Sequence, residues 1–265
     1  GRSAADTYRA IEALGVKNNK NMFVVGVNGA AIWDVEHYKQ IYATWLPHKH
    51  VKKLIHIYEQ MLKEKIDVCL VIHHYDKQKT KLAMQTNGEI IPKMYCMNRP
   101  LVVSKLRQIS PYFFTKYNRE ENYHELKGCP SWLKASKIIF FFNDQKTRDE
   151  YYKRFVRLHL PLYISVSVGT NIEFNNASVN KSVGLKRLCK YLGIKPSETL
   201  VCGDEKNDMP MLKLTEWSYC FKHCKEDVMN ACKYILDAQP SYMVGDAIKH
   251  YVKEHLDKKG KGNGN

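Results

Sequence analysis

Apolar and polar positions along this chain repeat with two periods, near 3.6 residues and near two, and the chain switches between them often. The clearest helical repeat lies at residues 51–64. There Val51, Leu54, Ile55, Tyr58, Met61 and Leu62 recur at i, i+3, i+4 and i+7, while Lys52, Lys53, Glu59 and Lys63 fall on the other side. The same spacing predicts helices over Gln145–Leu158, Lys181–Leu192, 225–231 and Val244–Leu256, with Gly193 closing the second. An early helix is expected through Ala4, Ala5, Tyr8, Ile11 and Leu14, ended by Gly15. Short apolar runs predict strands at Phe23–Val27, Val68–Ile72, Lys137–Phe142, Thr199–Cys202, Trp217–Phe221 and Tyr234–Leu236. Leu162–Val168 alternates, and Asn171–Phe174 reads as its extension. Residues 77–135 carry no sustained period.

Strands and helices that alternate after residue 178 imply a parallel sheet, and the strand–helix–strand set around 137–174 implies a separate α+β unit. The length of 265 residues exceeds a usual single domain and fits either two domains or one large α/β domain. No apolar run is long enough to cross a membrane as a helix, and no membrane association is expected. The last residues, from 257, are basic and Gly-rich and are expected to be disordered.

Charge changes the picture. With 42 Lys and Arg against 27 Asp and Glu, the formal charge is +15. Such a balance fits nucleic acid, an acidic membrane surface or an anionic phosphorylated substrate. The basic residues are scattered, as at Lys52-Lys53, Lys77/Lys79/Lys81 and Lys186-Arg187, with no dense block, so no specific nucleic-acid binding is expected. The eight cysteines form no Cys-x-x-Cys pair, and several lie in apolar runs. They read as free thiols of a protein in a reducing, cytoplasmic compartment. Cys220, His223 and Cys224 offer three zinc-type ligands with no fourth in sight, so zinc is not expected.

The candidate chemistry gathers at Val201-Cys202-Gly203-Asp204-Glu205-Lys206-Asn207-Asp208. An apolar run stops at a glycine, and two carboxylates and an amide come next, before a short helix. Strand ends at the rim of a parallel sheet are where α/β proteins bind ligands. Two carboxylates and an amide carbonyl are hard oxygen donors of the kind Mg²⁺ takes. A solvated acidic turn is the plainer alternative. Upstream, Asn28-Gly29 permits left-handed backbone and reads as a hairpin turn or as a loop facing a substrate.

Gly203-Asp204-Glu205-Lys206-Asn207-Asp208-Met209-Pro210-Met211-Leu212 resembles the fourth motif of haloacid dehalogenase (HAD) superfamily phosphatases, in the Cof-type, class IIB branch. Asn180-Lys181-Ser182-Val183-Gly184-Leu185 resembles the family's Lys motif, and Ile172-Glu173-Phe174 the strand that enters it. Val27-Asn28-Gly29-Ala30-Ala31-Ile32 is similar to the family's NGA loop, and Gly1-Arg2-Ser3 to the residues just after the Ser/Thr of its second motif. The resemblance implies a HAD-like parallel-sheet core at 1–40 and 178–256, interrupted by an α+β cap at 41–177. It implies Mg²⁺-dependent hydrolysis of a small phosphorylated metabolite, sugar phosphates first, through an aspartyl-phosphate. By the same resemblance Asp204 and Asp208 hold the metal, with Asp208 alternatively orienting Lys181. Lys181 neutralises the phosphate and the attacking carboxylate, and Asn207, Asn28, Gly29 and Arg2 bind substrate. The oligomeric state is left open.

One departure is large. The family's Asp-x-Asp-Gly-Thr motif, whose first Asp attacks phosphorus, does not occur in residues 1–265. The expectation is that the central nucleophile strand is missing, and that this chain is an inactive, N-terminally truncated version of a phosphatase. The alternative is a noncatalytic pseudoenzyme that binds a phosphorylated ligand or another anion.

Overall fold

The computed structural model describes residues 21–85, 94–97, 128–166, 169–239 and 242–260. The chain falls into two compact units, Gly1–Val179 and Asn180–Asn265. The strands of residues 23–43 belong to the first unit.

The first unit opens with three antiparallel strands, β1 (Phe23–Gly26), β2 (Ala31–Asp34) and β3 (Lys39–Ala43), in that order across the sheet. β1 and β2 form a hairpin with Gly26 opposite Ala31, and the turn between them is Val27–Gly29. Helix α1 (His48–Lys63) comes next, then β4 (Val68–His74), α2 (Lys77–Gln85), β5 (Met94–Met97), β6 (Ala135–Phe142), α3 (Gln145–Arg157), β7 (Leu162–Ser165) and β8 (Asn171–Asn176). Five of these strands make an antiparallel sheet ordered β5-β4-β6-β8-β7.

Alternation explains which face is covered. Val68, Leu70 and Ile72 of β4, Ile138, Phe140 and Phe142 of β6, and Ile172 and Phe174 of β8 join one buried core. The helical repeat read at 51–64 supplies its other half: Val51, Leu54, Ile55, Tyr58 and Met61 of α1, with Tyr151 and Phe155 of α3. The opposite face of the sheet is buried but carries charge. Lys137 of β6 and Glu173 of β8 pair there at 2.5 Å, with side chains only 5% and 11% exposed.

Residues 162–174 do not form one extended strand. Leu162 pairs with Asn176 and Ser165 with Glu173, so β7 and β8 run antiparallel. Gly169, at φ +90°, lies in the connection. Reversal lets both runs bury their apolar positions on the same sheet.

The second unit begins with α4 (Lys181–Leu192), closed by Gly193 in the left-handed conformation at φ 70°. Then come β9 (Leu200–Cys202), α5 (Met209–Leu212), β10 (Trp217–Phe221), α6 (Glu226–Met229), β11 (Tyr234–Leu236) and α7 (Met243–Gly260). β9, β10 and β11 form the expected parallel sheet, with β10 in the centre. Val201, Leu212, Cys220 and Val228 make the core under the acidic loop. α7 continues to Gly260, so 257–260 are helical rather than disordered. Residues 261–265 lie outside the described residues. No described helix is long and apolar enough to cross a membrane.

Candidate active site

Three pieces of backbone in the second unit set the site. α4 starts at Lys181 because Asn180 caps it: the Asn180 Oδ1 accepts from the Val183 amide at 2.9 Å and from the Ser182 hydroxyl at 2.8 Å. This puts a lysine in the first turn, where the helix dipole disfavours a cation. β9 delivers Gly203, whose amide donates to the Tyr219 carbonyl of β10 at 3.0 Å. A tight turn at Lys206–Asp208 then leads into α5.

Asp208 is the hub. It is 3% exposed, and its Oδ1 receives the Lys181 Nζ at 2.5 Å. Its Oδ2 accepts the backbone amides of Asp204 at 3.2 Å and Glu205 at 3.1 Å. A buried carboxylate is tolerated when cation and amides satisfy both oxygens, and here they do. The dipole penalty on Lys181 is offset by the same contact. Each Asp208 oxygen thus has a protein partner, with Lys181 on one and the loop amides on the other.

Gly203 makes the loop possible. A Cβ at this position would lie 2.5 Å from the Asp208 Cβ and 3.0 Å from its Cγ. The glycine is therefore required by close approach, not by a left-handed backbone. Motif order alone gives Gly203 and Asn180 no separate role. A glycine between a strand and an acid, and an asparagine just before a helix, are the signals that reveal them.

Asp204 differs from its neighbour. It is exposed at the rim, and its carboxyl is held above the usual carboxylate value. Partial desolvation is the largest cause, then the like charges of Asp208 and Glu205, with Lys181 opposing. A bound cation would relieve that repulsion. Asn207 is half-buried, and its Oδ1 is buried without a hydrogen-bond partner among the described residues. An orphaned acceptor beside a raised carboxylate suits a hard cation or a water bound to one. The donor set fits Mg²⁺ as part of a coordination shell that needs further oxygens. Among the described residues no group of three metal-ligating side chains is assembled.

In the first unit, Asn28 and Gly29 occupy the β1–β2 turn. Val27, Asn28 and Gly29 all take positive φ, at 50°, 56° and 97°. A β-branched residue in that region is strained, and such strain gathers where a loop is held for a purpose. Asn28 is buried, and its Oδ1 has no hydrogen-bond partner among the described residues. The structure thus brings Lys181, Asp204, Asn207 and Asp208 together in one unit and places Asn28 and Gly29 in the other. Arg2 lies outside the described residues.

Residues 1–248 match the family model of haloacid dehalogenase-like hydrolases. The chain is 30% identical over 121 residues to 5-amino-6-(5-phospho-D-ribitylamino)uracil phosphatase YcsE of Bacillus subtilis (strain 168), across 46% of this chain and 47% of that protein. The matched stretch is thus about half of that relative's own length. Among solved structures the fold resembles BT1666 from Bacteroides thetaiotaomicron, a HAD superfamily phosphatase, with a TM-score of 0.70 and 17% identity over 94% of this chain and 79% of that one. It also resembles the HAD subclass IIB sugar phosphatase BT4131, with a TM-score of 0.66 and 16% identity over 94% and 82% of the two chains. Motif order, parallel sheet and family model agree, and the chain belongs to the haloacid dehalogenase-like hydrolases, in their Cof-type branch.

Proposed function

We propose that this protein hydrolyses phosphate monoesters of small metabolites, with Mg²⁺ as cofactor. The observation that carries the reading is the pair Lys181–Asp208, at 2.5 Å, set beside an exposed carboxylate, Asp204, with a raised proton affinity. A lysine fixed by a buried acid presents a cation of set position, which is what a transferring phosphoryl group needs. Asp204 would hold the Mg²⁺, with the Asn207 Oδ1 reaching it or one of its waters. When bound, the ion would offset negative charge on the phosphoryl oxygens. Asp208 holds Lys181 and the loop, and Lys181 meets phosphate oxygens. Asn28, Gly29 and Arg2 are assigned to substrate binding by their likeness to the family's motifs.

In this reading residues 1–40 belong with the core and 41–177 form a cap that chooses the substrate and excludes water. Sugar phosphates are the first substrate class, as for BT4131, and the phosphorylated ribityl pyrimidine named for YcsE is the second. The protein is placed in the cytoplasm, with free thiols in keeping. The attacking carboxylate has no Asp-x-Asp-Gly-Thr counterpart in residues 1–265. Residues 1–265 alone are therefore expected to bind phosphorylated ligands without turning them over.

That same observation favours a second reading, a noncatalytic anion-binding protein. The two are separated by assaying the full polypeptide encoded by the gene with Mg²⁺ against a panel of sugar phosphates and ribityl phosphates. Phosphate release supports the hydrolase. Saturable binding without release, from a polypeptide that has no Asp-x-Asp-Gly-Thr string, supports the anion binder and overturns the first reading.

A further inference from the structure

The phosphatase reading leaves one cluster of reactive side chains unused. Cys220, Cys224 and Cys232 pack in the core of the second unit with Leu212 and Val228. Cys220 is fully buried on β10, and Cys232 is half-buried between α6 and β11. Their Sγ atoms lie 2.6 Å apart. A covalent S–S bond is about 2.0 Å, so closing it takes a movement of roughly half an ångström.

The approach is built by backbone. β10 and β11 are parallel neighbours with Tyr219 opposite Tyr234 and Cys220 opposite Ile235. The Lys233 amide, next to Cys232, donates to the Ser218 carbonyl at 3.1 Å and to its Oγ at 3.0 Å. The Cys232 Sγ also lies 3.3 Å from the Met229 carbonyl oxygen and 3.5 Å from that of Tyr234, within reach of its thiol proton. Sheet pairing and this tie hold the two sulfurs face to face, although twelve positions separate them in sequence.

We propose that Cys220 and Cys232 are a redox pair that closes to an intramolecular disulfide when the protein meets a peroxide. Cys232 is the more exposed and reacts first. Its sulfur attacks one peroxide oxygen, the O–O bond breaks, the thiol proton passes to the departing hydroxide, and a sulfenic acid and one water result. The Cys220 sulfur then attacks the Cys232 sulfur, the S–O bond breaks, and the thiol proton leaves with the oxygen as water. In sum two thiols and one hydrogen peroxide give one disulfide and two waters, the thiols being oxidised and the peroxide reduced. A dithiol reverses the step. Burial pushes the Cys220 thiol far up, which keeps that thiol protonated at rest. The inference stands apart from the phosphatase reading, because it needs no turnover.

The test treats the folded full chain with hydrogen peroxide, then denatures it, alkylates it with iodoacetamide and maps its peptides by mass. The expected result is a peptide pair joined through Cys220 and Cys232, two fewer alkylated cysteines, and full reversal by dithiothreitol. Cys224→Ser is expected to keep the link, and Cys232→Ser to lose it. Complete alkylation of both residues after peroxide, or a link made through Cys224 in the unaltered protein, would overturn the proposal. The map of the unaltered protein decides the matter even if a variant does not fold.

Discussion

Lys181 and Asp208 stand 27 residues apart in sequence and meet at 2.5 Å, one from the first turn of a helix and one from a buried turn. The contact solves two local problems at once. It neutralises a cation at the wrong end of a dipole and a carboxylate taken out of water.

Replacing Asp208 with Asn keeps the shape and removes the charge. Its amide nitrogen must then face either Lys181 or the amides of Asp204 and Glu205, and both are donors. The variant is expected to lose about 3 kcal/mol in urea unfolding. In a catalytically competent polypeptide, phosphate release is expected to fall by about 100-fold or more. A variant as stable as the unaltered protein would show that the hub is not structural.

Gly203→Ala places a methyl carbon against the Asp208 Cβ, at 2.5 Å before any shift. That atom is next to backbone and cannot swing away. A loss of about 1–3 kcal/mol is expected, together with weaker Mg²⁺ affinity by calorimetry. If stability and affinity were both unchanged, the loop would be looser than its contacts indicate.

Asn180→Ala removes the cap of α4. The expected loss is about 1 kcal/mol, and Asn180→Asp is expected to recover most of it because either side chain can accept from the Val183 amide. Equal losses for both substitutions would argue against capping as the cause.

Asp34 and His37 form a pH-dependent pair in the first unit. His37 donates its amide to the Asp34 carboxylate at 3.1 Å, and its ring Nδ1 lies 2.9 Å from the other oxygen. The Asp34 carboxylate holds the imidazole above its usual 6.5. Burial alone would raise the Asp34 carboxyl, but the His37 contacts outweigh it and hold it below 3.8. A raised histidine stabilises fully below its unfolded value and loses that effect as pH rises through the folded one. A lowered aspartate stabilises fully above its unfolded value and loses that effect as pH falls through the folded one. The pair therefore contributes in full between 3.8 and 6.5 and fades on either side. NMR titration of the His37 ring should give a midpoint above 6.5, and Asp34→Asn should return it to that value. A midpoint unaffected by Asp34→Asn would dismiss the pairing.

The elements legible in sequence are those with local causes. α1 follows from the repeat through Leu54, Tyr58 and Met61, and the end of α4 follows from Gly193. The site is legible as a set of side chains, because Lys181, Asp204, Asn207 and Asp208 sit in two short motifs. What joins them is not. The hub at Asp208 depends on amides aimed by a turn, and Gly203 matters through a contact that no periodicity encodes. The β7–β8 pair reads in sequence as one strand because alternation gives a period but not a direction. Cys220 and Cys232 meet only through strand register, so their spacing in sequence carries no sign of it.

Everything proposed about function rests on whether Lys181 and the acidic loop serve phosphate-ester hydrolysis. The decisive assay is Mg²⁺-dependent turnover of p-nitrophenyl phosphate by the full polypeptide encoded by the gene and by its Lys181→Met and Asp204→Asn variants. Turnover is expected from the unaltered polypeptide, with a loss of about 100-fold or more from either variant. A polypeptide that releases no phosphate, or one indifferent to both substitutions, would contradict it.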